Sequence, residues 1–317
     1  MTTAELARTA SNTPASGRGA PARRRARLKE KTIQWFFLVP ALIYIVLFFG
    51  YPIVKNVTMS FQDYSTKTFF TGEAPWVGIA NYVTVITSGL FTTTLINTAL
   101  FTVGSIIGQF VIGLALALFF RRKFPLNTVL QSLLLLPWLL PLIASSAVWK
   151  WILDQDSGVL NQSLALLHIP AVPWLSSPSV ALIAVVMVNI WLGIPFNVTI
   201  LYSGLQDVPP ELYEAGSLDG ATGWKAFRFI TWPNLRPVVS VVLVLGVVYT
   251  LKVLDIILGL TGGGPANSTE TLATNSYQRS FVQFAFGQGA AVSNILIVIS
   301  LVFAFVYLHI NRRAIDE

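Results

Sequence analysis

Six times along the chain a long apolar run gives way to a polar segment, and the length of each run decides what it predicts. The runs are about Ile33 to Val54, Phe91 to Phe120, Leu126 to Trp151, Ser179 to Tyr202, Pro237 to Leu260 and Ala290 to Ile310. Each can supply the roughly 20 residues that a helix needs to cross a ~30 Å hydrocarbon core. The first run is far longer than the apolar stretch of a secretion signal, about 7 to 15 residues, and no small-residue cleavage site follows it, so an uncleaved span is expected despite the adjacent arginines before it. The second, third and fourth runs contain Gly104, Gly108, Gly113, Pro137, Pro141, Gly193 and Pro195, residues that mark close helix packing or a kink. The expected fold is therefore all-α and polytopic. Six transmembrane helices occupy 33–311, between a basic, disordered tail over 1–32 and a short tail over 312–317.

Composition agrees with this pattern and removes whole classes of chemistry. The 317 residues are 54% hydrophobic and 11% charged, more apolar surface than one water-soluble core could hide. The chain has no cysteine and only two histidines, His168 and His309, which excludes disulfides, thiolate metal sites and a histidine cluster for zinc or acid–base work. The net charge of +7 reports orientation rather than nucleic acid. Basic residues mass in the tail before Ile33, at Arg121, Arg122 and Lys123, at Lys225, Arg228 and Arg236, and at Arg312 and Arg313. Only Lys55, Lys67, Lys150, Lys252 and Arg279 lie in spans or on the other side, so both termini are expected in the cytoplasm. Three external connections remain: Thr58 to Leu90, Ile152 to Pro178 with an amphipathic stretch at Val159 to Leu167, and Thr261 to Gly289, which begins Gly262, Gly263, Gly264, Pro265. Trp76 and Trp174 read as membrane-interface markers.

One cytoplasmic segment, Glu211 to Pro237, is polar and turn-rich between two apolar runs. Pro209 and Pro210 suit a helix start, and Glu211 and Glu214 sit in the early turns that the helix dipole favours for acids. Gly220 is placed to stop that helix. Thr222 is expected to cap a second one through Trp224, Phe227 and Ile230, which Pro233 would end. Within the spans, polar groups are costly unless they meet a partner or a wet cavity. The candidates are Asn189, Trp191, Asn197, Tyr249, Lys252, Asp255 and Asn294. Asn189, Trp191 and Tyr249 either line a cavity or pack helices. Lys252 and Asp255, three apart, are expected to share a face and pair. Asn97, Gln109 and Gln131 read as hydrogen-bonding links between helices.

The polar segment resembles the EAA loop of binding-protein-dependent ABC importer permeases through Glu214, Ala215 and Gly216, Asp219, Gly220 and Ala221, then Ile230 and Pro233. Gly216 and Trp232 stand where a second Ala and a Leu are usual, with the spacing kept. Asn189 to Ala215 and Leu251 to Phe281, with Lys252, Asp255 and the Leu-Thr-Gly-Gly-Gly-Pro run, are similar to sugar-type permeases, the group that includes the maltose and glycerol-3-phosphate importers. The resemblance implies a permease subunit of the bacterial inner membrane that moves a sugar or sugar-like solute by alternating access. It implies partners: a second similar permease, two ATPase subunits and an extracytoplasmic solute-binding protein. The coupling loop would be about 204–237, with Glu211, Glu214, Ala215, Gly216, Asp219, Gly220, Arg228 and Pro233 at the ATPase. Gly263, Gly264 and Tyr277 would meet the binding protein. The chain has no Gly-x-x-x-x-Gly-Lys-Ser/Thr, so ATP and Mg belong to the partner ATPase, no cofactor is expected here, and this chain is a transport subunit rather than an enzyme. For a sugar, the spans offer amides for hydroxyls and aromatic faces for C–H surfaces. The rival reading is a secondary transporter coupled to protons through Asp255, which would be expected to show internal repeats that this sequence lacks.

Overall fold

The computed structural model describes residues 35–36, 38–71, 73–122 and 124–315. The expected tail at 1–32 and the last two residues of the expected tail at 312–317 lie outside the described residues; 312–315 continue the Phe286–Ile315 helix. The chain divides into two units, 1–55 and 56–317. In the first unit the described backbone is helical and widens into a π turn at Val46–Gly50. Among the described residues five helices are long and apolar enough to cross a membrane: Leu38–Ser60, Gly89–Phe120, Ala181–Gln206, Trp224–Leu251 and Phe286–Tyr307. Two further helices, Asn127–Leu139 and Leu142–Ile152, bent by 100°, make a sixth candidate when the pair is taken as one broken span. Among the described residues the β component is one isolated bridge, Gln62 to Trp76.

Three of the expected helices differ from their sequence reading, each for a local reason. The third span is broken, not merely kinked: Leu140 precedes Pro141, whose ring forces it out of the helical region, and Leu140 sits at φ −79°, ψ 138°. The fifth run does not form one helix from Pro237 to Leu260. It is helical through Leu251, opens at Lys252 to Leu254, and restarts as Asp255–Leu260. Pro233 does not end the helix begun at Trp224. A π turn at Phe227–Thr231, closed by the Trp232 N–H on the Phe227 carbonyl, widens the ladder just ahead of Pro233, and the helix continues through Pro237 to Leu251.

Apolar side chains pack in three clusters within 56–317. The largest joins Phe101, Val185 and Val188 to Ile256, Ile257 and Leu260. A second joins Ala117, Leu201 and Leu205 to Leu235 and Val239, and a third joins Val85 to Leu272, Ala291 and Val292. The Gly89–Phe120 and Ala181–Gln206 helices approach closest where glycines face them. A Cβ on Gly113 would sit 2.6 Å from the Asn197 Cβ, and one on Gly193 would strike the Gln109 amide. Gln109 Nε2 donates to the Asn189 carbonyl at 2.9 Å, the expected link between helices. Gln131 instead donates to Asn127 of its own helix, and Asn97 donates to the Asn267 and Glu270 carbonyls of a connecting loop.

That loop is held by a polar lattice. Arg279 is 9% exposed and donates through Nε to Asn275 Oδ1 at 3.0 Å and through Nη1 to Gln288 Oε1 at 2.6 Å. Asn275 Nδ2 in turn donates to Glu270 Oε1 at 2.7 Å. Burial pushes the Arg279 pKa down from its ordinary value, and the Glu270 carboxylate opposes that shift. Arg279→Met would leave Asn275 and Gln288 without their donor, at about 1–3 kcal/mol for the buried Asn275 and less for the half-buried Gln288. The expected result is a clear drop in the thermal midpoint of the purified chain in detergent; an unchanged midpoint would show that the lattice carries no stability.

Candidate functional site

The two helix breaks converge on one space. A cavity of about 620 Å³ is lined by Pro137, Trp138, Leu140 and Leu142 at the broken span and by Lys252 to Ile256 at the second break. Between them stand Gln109, then Asn189, Leu192, Gly193 and Phe196, then Gly246, Tyr249 and Thr250. Interrupted helices are tolerated at membrane depth where their freed backbone lines a cavity. Three aromatic side chains meet in the mostly aliphatic wall: Phe196 meets Trp138 edge-on at 6.1 Å and Tyr249 at 5.9 Å. Tyr249 is 51% exposed, and Lys252 Nζ rests 4.8 Å from its ring centroid. Lys252 therefore forms a cation–π contact instead of the expected pair with Asp255; the helix break between them separates the two side chains.

Asn189 is 5% exposed, and its Nδ2 has no hydrogen-bond partner, although it lines the cavity. A buried donor left unmade costs about 1–3 kcal/mol, so a ligand hydroxyl arriving there removes a penalty as well as making a bond. Of the sequence candidates, Asn189, Tyr249, Lys252 and Asp255 are thus brought together. Trp191 packs edge-on against Trp149 at 5.4 Å, outside the lining. Asn197 donates back to the Gly193 carbonyl of its own helix at 2.9 Å. Asn294 lies in another cluster, accepting from Asn56 and donating to the Tyr82 hydroxyl. Sequence reasoning missed Trp138, Phe196 and Thr250 as lining residues and read Gln109 only as a link. The signal for Trp138 was Pro137 and Pro141 beside the broken span; Pro195 lies within the unbroken Ala181–Gln206 helix, and no proline marks the break at Lys252 to Leu254.

The polar segment forms a helical hairpin. Its first helix is Pro210–Leu218. Ala221 N–H bonds the Gly216 carbonyl at 2.7 Å and Gly220 N–H bonds the Ser217 carbonyl at 3.2 Å, a complete Schellman ending with Gly220 at φ +75°. Thr222 does not cap the second helix. That position falls to Gly223, at φ 55° and ψ −119°, a conformation in which Gly is favoured. Gly216 serves the hairpin itself: a Cβ there would lie 2.5 Å from Ile230 Cδ1 on the opposing helix. Glu211, Glu214, Ala215 and Asp219 are exposed, as are Arg228 and Pro233, and Leu218 beside them is 89% exposed. The hairpin thus presents acids around a bare leucine. Gly263, at φ +94°, packs against the Glu270 side chain, Gly264 precedes Pro265, and Tyr277 tilts onto Phe281 at 5.2 Å, all on the connection held by Arg279.

The family model described as binding-protein-dependent transport system inner membrane component matches residues 109–316. The trehalose/maltose transport system permease protein MalF of Thermococcus litoralis is 33% identical over 291 residues, covering 91% of this chain and 96% of its own. The sulfoquinovosyl glycerol transport system permease protein SmoG of Agrobacterium fabrum is 32% identical over 285 residues, covering 90% and 92%. In the crystal structure of a bacterial alginate ABC transporter in complex with alginate pentasaccharide-bound periplasmic protein, one chain superposes with a TM-score of 0.79 at 22% identity, over 92% of this chain and 97% of that one.

Proposed function

Because the chain belongs to the family of binding-protein-dependent transport system inner membrane components, we propose that it carries a sugar or sugar-like solute through the membrane as one permease subunit of an ATP-driven importer. The observation that supports the solute class most is the cavity: the unpartnered Asn189 amide faces a space walled by Trp138, Phe196 and Tyr249. Amides suit sugar hydroxyls and aromatic faces suit sugar C–H surfaces. Relatives named for trehalose, maltose and sulfoquinovosyl glycerol agree with that chemistry.

In this reading the basic excess places both termini and the hairpin in the cytoplasm of a bacterial inner-membrane protein. The hairpin docks on one of two ATPase subunits, which hold ATP and Mg. A second permease completes the pathway, and an extracytoplasmic binding protein delivers solute to the connection that contains Gly263, Gly264 and Tyr277. Closure of the ATPases draws the coupling hairpins together and turns the cavity outward; opening returns it to the cytoplasm.

The test uses the complex purified with its co-encoded partners. Asn189→Leu and Tyr249→Ala are each expected to reduce solute-stimulated ATPase activity roughly five- to twelvefold, one hydrogen bond or aromatic contact being worth about 1–1.5 kcal/mol. Trp191→Ala, outside the lining, is expected to have a smaller effect. Full stimulation in both cavity variants would remove the solute assignment. Uptake driven by a proton gradient without ATP would return the protein to the secondary-transporter reading.

A further inference from the structure

A second cleft, of about 580 Å³, lies between the hairpin and the end of the Gly89–Phe120 span. Leu118, Arg121, Arg122, Tyr213, Gly223, Trp224, Ala226, Phe227 and Thr231 line it, and none of these is acidic. Its level follows from the helices: Phe120 ends one candidate span and Trp224 begins another. Trp224 is 71% exposed, as an indole in the headgroup belt would be, and stacks on Phe227 at 5.1 Å.

The arginines are poised for an anion. The Arg121 guanidinium lies 4.1 Å from the Tyr213 ring centroid, and the Tyr213 hydroxyl is fixed by Thr231 Oγ1 at 2.9 Å. Stacking holds Arg121 in place and leaves its N–H edge free, which lowers the entropy lost on binding. Among the described residues no carboxylate pairs with Arg121 or Arg122. Leu118 and Phe227 give the same cleft an apolar side.

We infer that this cleft binds the headgroup phosphate of an anionic phospholipid, with Arg121 and Arg122 on the phosphate, Trp224 at the glycerol level and Leu118 and Phe227 against the first acyl methylenes. A free phosphate would use the arginines alone and leave the apolar side bare. An acidic segment of a protein partner would satisfy the charge, but it would not need a cleft at the level where spans leave the membrane. The bound lipid would lie against Tyr213, and so against the first helix of the hairpin.

The full chain, purified in a neutral maltoside detergent, is titrated with phosphatidylglycerol, phosphatidylcholine or sodium phosphate while its thermal midpoint is followed. Phosphatidylglycerol is expected to raise the midpoint of the wild type, and the other two are not. In Arg121→Gln/Arg122→Gln the phosphatidylglycerol affinity should fall roughly thirtyfold, at about fivefold per basic residue near an anionic surface. Arg122→Gln alone, at an exposed position, should fall about fivefold and serves as the readout if the double variant does not unfold cooperatively. An equal phosphatidylglycerol response in wild type and variants overturns the inference. So does a sodium phosphate response with the same arginine dependence, which would mean an ion site. Loss of a co-purifying partner subunit from the variants with the lipid response intact would assign the cleft to a protein contact instead.

Discussion

Glu214→Lys is expected to abolish solute uptake while the chain still reaches the membrane at wild-type abundance. Glu214 is exposed on the Pro210–Leu218 helix; its backbone carbonyl accepts from Ser217 Oγ at 2.7 Å, and its carboxylate has no partner among the described residues. A surface change away from packing alters stability by no more than about 0.5 kcal/mol. At a dock the same change is large. It removes a carboxylate that could accept charge-assisted hydrogen bonds and puts a positive charge in its place, which would repel a cationic partner. Losing one partner of a buried charged pair at an interface costs about 2–5 kcal/mol, or roughly thirty- to several-thousand-fold in affinity. Uptake assays, with an immunoblot of the membrane fraction and co-purification of the ATPase subunit, read the three quantities separately. Wild-type uptake in the variant would refute the coupling role of the hairpin. Loss of the protein from the membrane would show that Glu214 acts on folding instead.

The second large effect is expected at Gly113→Leu, and it acts on the bundle rather than on a partner. A Cβ at this position would meet the Asn197 Cβ at 2.6 Å and the Asn197 carbonyl carbon at 3.5 Å. The Cβ is fixed to the backbone, so no rotamer change can clear it and the two helices must separate. Overpacking of this kind costs about 1–3 kcal/mol. Separation would also pull Gln109 away from the Asn189 carbonyl one turn further along, a buried hydrogen bond worth about 1 kcal/mol more. The thermal midpoint of the purified chain should fall by on the order of 10 °C. Gly246→Ala is the contrast: its Cβ would meet only Ile106 Cδ1, at 2.9 Å, the far end of a side chain that can turn aside. Equal midpoints for the two variants would show that the Gly113 contact is not what sets the spacing.

The spans were legible because an apolar run of membrane length admits one regular solution, a helix with its backbone bonds satisfied internally. The hairpin's first helix was legible from its ending, since Gly220 stops it through a bonding pattern that its sequence position anticipates, whereas the cap of the second falls to Gly223 rather than Thr222. The breaks were not. The run Pro237 to Leu260 is apolar on both sides of Lys252, and the helix opens at Lys252 to Leu254 although Leu251, Val253 and Leu254 are as apolar as their neighbours. Pro233 misled in the opposite direction, because a proline after a π turn can continue a helix that it would otherwise end. The cavity was half legible. Asn189 and Tyr249 stood out as polar groups within spans, but the lining draws on separate stretches of chain, and periodicity within one helix does not say which neighbour it faces. Trp191 and Asn197 lie on the same helix as Asn189 and still point elsewhere, one to Trp149 and the other to its own backbone.

The π turn has a mechanical meaning. Had Pro233 ended the second helix of the hairpin, a loop would separate the hairpin from the membrane span, and any displacement would fade in that joint. Instead one helix of 28 residues runs from Trp224 to Leu251, a rod about 40 Å long at the usual rise per residue. Its near end carries the hairpin and its far end is Tyr249 and Thr250 on the cavity wall. Under the proposed coupling, a tilt of the hairpin by a few degrees would become ångströms of travel at the wall, because no loop interrupts the helix between them.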